Sequence, residues 1–183
     1  MRVITGIAKG RKLKAPKGME TRPTSDRTKE SLFNIIGNKI LNVKFLDLYA
    51  GTGAVGIEAI SRGAEKSVLV EKNPKAVKII RENLELTGLN NMAEILALEA
   101  NEAIEKLTVQ GIKFEIIFMD PPWLKDLEKA CLKKIAEKTL LAQGGLIITE
   151  SSKLDVLPKE VGRFKMYRQD KYGDTILSFY QEF

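Results

Sequence analysis

The sequence predicts a doubly wound α/β fold, and three observations lead to it. A short apolar run, Phe45-Leu-Asp-Leu-Tyr-Ala, feeds into glycines at 51, 53 and 56 and then into a helical pattern. From there on, strand-like and helix-like segments alternate along the body of the chain. The fourth strand pattern, Phe114-Glu-Ile-Ile-Phe-Met, runs straight into Asp120-Pro121-Pro122-Trp123.

Glycines at the spacing of 51, 53 and 56 let the backbone turn sharply, let a ligand approach the main chain, and let the helix pack on its strand. The pattern fits a nucleotide-like ligand seated at the turn. It also calls for an acidic residue about 20 positions on, at the end of a second strand, to hold ribose hydroxyls. Glu71, which closes Ser67-Val-Leu-Val, answers that requirement.

A chain of 183 residues with 44% hydrophobic content is sized for one domain with a full core. Within it, residues 1–40 read as a basic N-terminal extension and 41–183 as the cofactor-binding and catalytic core. No apolar stretch is long enough to cross a bilayer, and Met-Arg-Val-Ile lacks a secretory h-region, so a soluble, cytoplasmic protein with no membrane partner is expected. One cysteine excludes an internal disulfide, and the absence of histidine argues against a zinc site, so no metal is expected. Catalysis must then proceed without imidazole, which leaves carboxylates, backbone groups or a reactive cofactor. Cys131 lies in a helical pattern and is expected to be a core thiol.

The net charge of +6 is concentrated at one end. Residues 1–44 hold eleven basic and three acidic side chains, a balance of +8, against −2 for the rest. Arg2, Lys9, Arg11, Lys12, Lys14, Arg22 and Arg27 are the candidate contacts to a polyanion, since Lys and Arg on phosphates give affinity without reading sequence. A solvated basic face is the alternative. Within this end, segments around Arg2 and Lys12 bracket Gly6 and Gly10, which reads as a small hairpin that needs something to pack on. Pro23 predicts an extended entry and Thr24 or Ser25 a helix cap. Leu32, Phe33, Ile35, Ile36 and Ile40 give that helix its apolar face, and Gly37 ends its regular part.

Asn73-Pro74 starts the next helix, with Val77, Ile80 and Leu84 on one face and Gly88 as its stop. The third strand is expected over 94–98. Glu99 and Ala100 follow it, and loops at strand C-termini line the ligand crevice of a parallel sheet. Glu99 is placed to accept from an adenine amine, although a solvated helix-start glutamate explains it equally well. After the fourth strand, two prolines make a stiff corner that holds a carboxylate and an aromatic ring in one geometry. Asp120 and a proline carbonyl can accept from an exocyclic amine while Trp123 stacks on the base.

Asp47-Leu-Tyr-Ala-Gly-Thr-Gly-Ala-Val-Gly resembles the cofactor motif of class I S-adenosylmethionine-dependent methyltransferases, which are Rossmann-like. Asp120-Pro-Pro-Trp is similar to the (Asp/Asn)-Pro-Pro-aromatic motif of members that methylate exocyclic amines. Arg22-Pro-Thr, Asp26-Arg27, Glu30, Leu32-Phe-Asn, Glu58-Ala-Ile-Ser-Arg-Gly-Ala and Tyr172-Gly-Asp-Thr narrow the match. End to end, the chain resembles the bacterial 16S ribosomal RNA guanine(966)-N2 methyltransferase family. That resemblance implies S-adenosyl-L-methionine as cofactor, with Asp47, Ala50, Gly51, Thr52 and Gly53 around its methionine end. It implies Glu71 and Lys72 at the ribose, Glu99 and Ala100 near adenine, and Thr24 in the same set. The segment from Arg22 to Arg27 is expected to close over cofactor and base. Asp120, Pro121, Pro122 and Trp123 become the catalytic corner, and 16S rRNA, in a small-subunit particle, the partner of a monomer. Trp123 stands where Tyr or Phe is commoner, and Glu99 where Asp or Asn is familiar.

The remaining chain predicts an amphipathic helix over 124–141 ended by Gly144-Gly145, then a fifth strand, Leu146-Ile-Ile-Thr. Segments 164–169 and 175–180 flank Tyr172-Gly173-Asp174 and read as a closing antiparallel hairpin. The resemblance implies a mostly parallel sheet of seven strands with its last strand antiparallel. Three other functions compete. A DNA adenine-N6 methyltransferase shares the Asp-Pro-Pro-aromatic chemistry, but 183 residues leave no room for a sequence-reading domain. A nicotinamide dehydrogenase does not explain Asp-Pro-Pro-Trp. A noncatalytic RNA-binding or ribosome-assembly factor has no need of the intact motif.

Overall fold

The computed structural model describes residues 1–15 and 26–183, so the expectations on Arg22, Pro23, Thr24 and Ser25 lie outside the described residues. Five strands run parallel: β1 (Lys44–Asp47), β2 (Lys66–Val70), β3 (Ala93–Leu96), β4 (Phe114–Met119) and β5 (Leu141–Ser152). The chain then turns back on itself in β6 (Glu160–Val161), β7 (Phe164–Tyr172) and β8 (Thr175–Glu182). Here β8 pairs antiparallel with β5, β7 with β8, and β6 with β7. Among the described residues the sheet has eight strands, in the order β3-β2-β1-β4-β5-β8-β7-β6. The seven expected from resemblance are joined by β6, whose two residues are too few to show an alternating pattern.

Alternation along the strands sorts the two faces. Phe45, Ile116, Phe118 and Ile148 meet Leu32, Phe33 and Ile36 of α1 (Asp26–Ile36) and Val55 and Ala59 of α2 (Ala54–Ser61). Leu46, Ile117, Met119 and Ile147 face α4 (Ala100–Val109) and α5 (Leu127–Ala136). Beside α2, α3 (Pro74–Thr87) adds Ile80 and Leu84, and it begins and ends as expected, with Asn73 accepting from Lys75 N and Gly88 left-handed. Each fully buried Leu, Ile or Phe contributes roughly 1.5–3 kcal/mol, so these contacts hold the layers together. Among the described residues no helix is long and apolar enough to cross a membrane.

The helix expected over 124–141 is shorter at both ends. Leu124 and Asp126 have φ of 60° and 53°, which no helix accommodates, so α5 starts at Leu127. It ends at Ala136, and Leu140 and Leu141 are buried as the entry to β5. Gly144 and Gly145 therefore lie inside β5 instead of capping a helix. A Cβ on Gly145 would come within 2.9 Å of Ala142 O and Glu115 O, where the β4–β5 register shifts. Glycine here permits a close backbone approach at an irregular pair.

The N-terminal arm is a looser hairpin than its sequence suggested, with a single antiparallel bridge between Arg2 and Lys12. It packs through Val3, Ala8 and Leu13 against Ile57, Ile60 and Leu84. Glu58 of α2, fully buried, pins it: Oε2 accepts from Ile4 N at 2.8 Å and Oε1 from Thr5 N at 3.0 Å. The same carboxylate pairs with Arg62 at 2.8 Å and with Lys29 of α1 at 3.4 Å, while Lys29 Nζ donates to Arg2 O at 2.6 Å. Burial pushes the Lys29 pKa down, and Glu58 opposes that shift. The two ion pairs of this one carboxylate thus tie arm, α1 and α2 together. Breaking such a buried pair from one side costs about 3–5 kcal/mol, because the remaining charge is stranded. Glu58→Ala should lower the unfolding free energy by that amount in urea titration and, by loosening the arm, speed tryptic cleavage after Lys9 and Arg11. Stability and cleavage matching the parent would show that the pair is not what holds the arm.

Candidate active site

Each of the three glycines of the first turn has its own structural reason. Gly51 has φ of 55° and open space where a Cβ would stand. Gly53, at φ of 79°, is the left-handed residue that caps α2, and a Cβ on Gly56 would lie 2.1 Å from Leu69 Cδ2 of β2. An open main chain, a left-handed cap and close helix packing are thus supplied by separate residues. Glu71 closes the loop from the next strand end: its Oε2 accepts from Gly51 N at 2.9 Å and its Oε1 from Asn73 N at 2.8 Å. These bonds fix the carboxylate, and each oxygen keeps further acceptor capacity.

These residues open onto a cleft of about 1090 Å³ over the C-terminal ends of the parallel strands. Asp47, Ala50, Gly51, Thr52, Glu71 and Lys72 line one end of it. Glu99 and Ala100 line it at the start of α4, where Glu99 N donates to Glu102 Oε2 at 3.3 Å. Lys72 Nζ is 2.9 Å from Glu99 Oε1, an exposed pair of little energetic weight. Asp120, Pro121, Pro122 and Trp123 line the same cleft from the end of β4, and Arg27 reaches it from α1. Gly53 is buried beneath the loop and does not line it, whereas Thr24 and Arg22 lie outside the described residues.

The basic arm behaves differently. Arg2, Lys9, Arg11, Lys12 and Lys14 are exposed and do not line the cleft, although Met1 and Ala15 at the two ends of the arm do. Lys14 spends its charge on Glu82 at 2.9 Å, and its backbone is clasped by Asn83, which also holds Thr52 O. The arm is therefore tied to the glycine turn through Asn83.

Several lining residues escaped the sequence reading, among them Tyr49, Thr28, Glu150, Lys171 and Tyr172. Glu150 was within reach, because it follows Leu146-Ile-Ile-Thr and strand ends line such crevices. Lys171 and Tyr172 end β7 at the β7–β8 hairpin, whose position depends on antiparallel pairing across the sheet. Tyr49 OH lies 3.3 Å from Cys131 Sγ, and burial raises the pKa of that thiol, as suits the core residue expected.

Asp47 dominates the electrostatics. It is 1% exposed, and its Oδ1 has no hydrogen-bond partner among the described residues. Burial raises its pKa to about 7, Asp120 and Glu71 add to the shift, and the N–H groups of Tyr49 and Gly56 oppose it. A carboxyl group that stays protonated longer in the folded than in the unfolded state stabilises the fold at low pH. That contribution is lost as pH rises from the unfolded value near 4 through 7, and it amounts to about 4 kcal/mol. Glu128 is also raised to about 7 by burial and adds a slope of the same sign. Asp47→Asn should therefore gain stability over the parent, without ligand, as urea titrations move from about pH 4 to about pH 8. Parallel pH profiles would mean that Asp47 carries no such cost.

The profile of a family described as "Conserved hypothetical protein 95" matches residues 1–181. YlbH of Bacillus subtilis (strain 168), provisionally designated an rRNA methyltransferase, is 40% identical over 182 residues, covering 100% of this chain and 99% of its own. Ribosomal RNA small subunit methyltransferase D of Escherichia coli (strain K12) is 31% identical over 181 residues, covering 99% of this chain and 89% of its own. The solved structure of yhhF from Escherichia coli superposes with a TM-score of 0.87 at 31% identity, over 100% of this chain and 97% of that one. On these matches and the sheet order above, the chain belongs to the conserved hypothetical protein 95 family, that of the ribosomal RNA small subunit methyltransferase D proteins, with the class I methyltransferase fold.

Proposed function

We propose that this chain transfers a methyl group from S-adenosylmethionine to the exocyclic N2 amine of a guanine in 16S ribosomal RNA, at position 966 by family resemblance. The observation that carries the proposal is that Asp120-Pro-Pro-Trp opens into the same cleft as the Gly51 turn and Glu71. An acceptor corner for an amine and a turn for a nucleoside-like ligand face one volume. The names of the full-length relatives support ribosomal RNA as the substrate class.

The residues suit this cofactor. Asp47, buried with an oxygen unpartnered among the described residues, gains most from a positively charged ligand, and the methionine end of S-adenosylmethionine is cationic. Gly51 leaves room for the ligand against the main chain, and Glu71 presents a fixed carboxylate to ribose hydroxyls. Glu99 and Ala100 are the adenine neighbours, with Lys72 paired across to Glu99. When bound, the cofactor supplies an electrophilic methyl group.

The protein's part is orientation and placed dipoles. A guanine N2 amine is a poor nucleophile because its lone pair is drawn into the ring. Asp120 and the Pro121 carbonyl accept its hydrogens, raising electron density on nitrogen and aiming it for in-line displacement. Trp123 stacks on the base, and the surplus proton leaves to Asp120 or to water. Arg27 at the cleft, with Lys9, Arg11 and Lys12 on the arm, meets the RNA backbone of a small-subunit particle.

Asp120→Ala should leave RNA binding near normal and cut single-turnover methyl transfer by two orders of magnitude or more, with no rescue at saturating RNA. Trp123→Ala removes a stacking surface worth about 1–3 kcal/mol, so its loss of roughly ten- to a hundredfold should be partly recovered as RNA is raised. Near-normal single-turnover rates in Asp120→Ala would end the amine-acceptor mechanism and return the corner to a structural turn.

A further inference from the structure

Asp120 is one of two carboxylates at its end of the cleft. β4 and β5 run parallel with Met119 opposite Thr149, so Asp120, just past the end of β4, stands level with Glu150, which is still within β5. Ile148 faces α1, and two residues on along the same strand Glu150 falls on that face too, opposite Leu177 of β8. Both Asp120 and Glu150 line the cleft, yet Glu150 is only 4% exposed. A carboxylate offers several acceptor positions, so Glu150 can take a donor from a ligand in addition to its partners in the protein.

The amine-bearing bases differ in what stands beside the amine. On the Watson–Crick side of its N2 amine guanine presents N1–H, so two donor groups stand side by side there. Adenine and cytosine present a ring nitrogen lone pair beside theirs. Two neighbouring carboxylates suit the first arrangement and repel the second. We infer that Glu150 is a specificity-determining residue that accepts N1–H of the target guanine while Asp120 and Pro121 accept from its amine. This rests on the methyltransferase reading above and deepens it, since it derives a preference for guanine over adenine from the strand register. Glu150 does not touch the migrating methyl group in this scheme; it selects the base and sets its angle against Asp120.

The test uses a small-subunit RNA fragment whose methylated guanine has been mapped, and the same fragment with 2-aminopurine riboside at that position. 2-Aminopurine keeps the amine but has a lone pair in place of N1–H. Single-turnover rates are compared for the parent, Glu150→Gln and Glu150→Ala. The parent should prefer guanosine by about a hundredfold. Glu150→Gln can turn its amide N–H toward the lone pair, so it should narrow the preference to within about tenfold. Glu150→Ala should lose most of the preference by slowing guanosine alone. Comparing ratios between proteins cancels any difference in the intrinsic reactivity of the two amines. A Glu150→Gln variant that slows both substrates equally and keeps the parent's ratio overturns the inference and leaves a structural role. Parent enzyme that transfers no methyl to the guanosine fragment overturns the reading beneath it, an outcome distinct from unchanged selectivity.

Discussion

The position of β1 in the sheet sets everything else in this molecule. It has β2 on one side and β4 on the other. The connections that reach those neighbours use opposite faces, α2 and α3 on one and α4 and α5 on the other. No crossover therefore covers the C-terminal end of β1, and a crevice opens there of the kind that α/β sheets use for ligands. Asp47, the glycine turn, Glu71, Glu99 and Asp120 all stand at strand ends around it. Chemistry follows from topology, because the same parallel register that builds the core delivers these side chains to one place.

That delivery concentrates negative charge. Burial raises the Asp47 pKa to about 7, with Asp120 and Glu71 close enough to add to the shift. A cleft with this field favours a cation and amine or N–H donors, and disfavours phosphate at its centre. Arg27, Lys72, Lys125 and Lys171 also line the cleft, with Lys72 paired to Glu99, and the exposed cations of the arm lie outside it. A chain without histidine loses nothing by this, since the proposed transfer needs a held amine more than a strong base.

Local signals read well in the sequence because their causes are local. Glycines forced by positive φ or by a neighbour 2.1 Å away, the Asn73 cap and the Gly88 stop all have the places expected of them. Asp120-Pro-Pro-Trp also lies where its strand ends. What was not legible depended on distance in the chain. Glu58 was part of a recognised motif, yet its role needs Lys29, Arg62 and two amides of the arm to meet it. The limits of α5 were misplaced because Leu140 and Leu141 extend an apolar pattern that two left-handed residues and a strand actually interrupt. Glu150 could be placed near the crevice from its position after Leu146-Ile-Ile-Thr, but its level beside Asp120 depends on the β4–β5 register, which periodicity within either strand does not contain.

The central claim is that one cleft brings a methyl donor to the N2 amine of a guanine in ribosomal RNA. It is tested most directly by incubating the protein with unmodified small-subunit RNA and S-adenosylmethionine labelled in its methyl group, then digesting the RNA to nucleosides and identifying the labelled product. The account predicts label in N2-methylguanosine from a single site. Label in N6-methyladenosine, or none in any nucleoside from RNA or assembled particles, would contradict it.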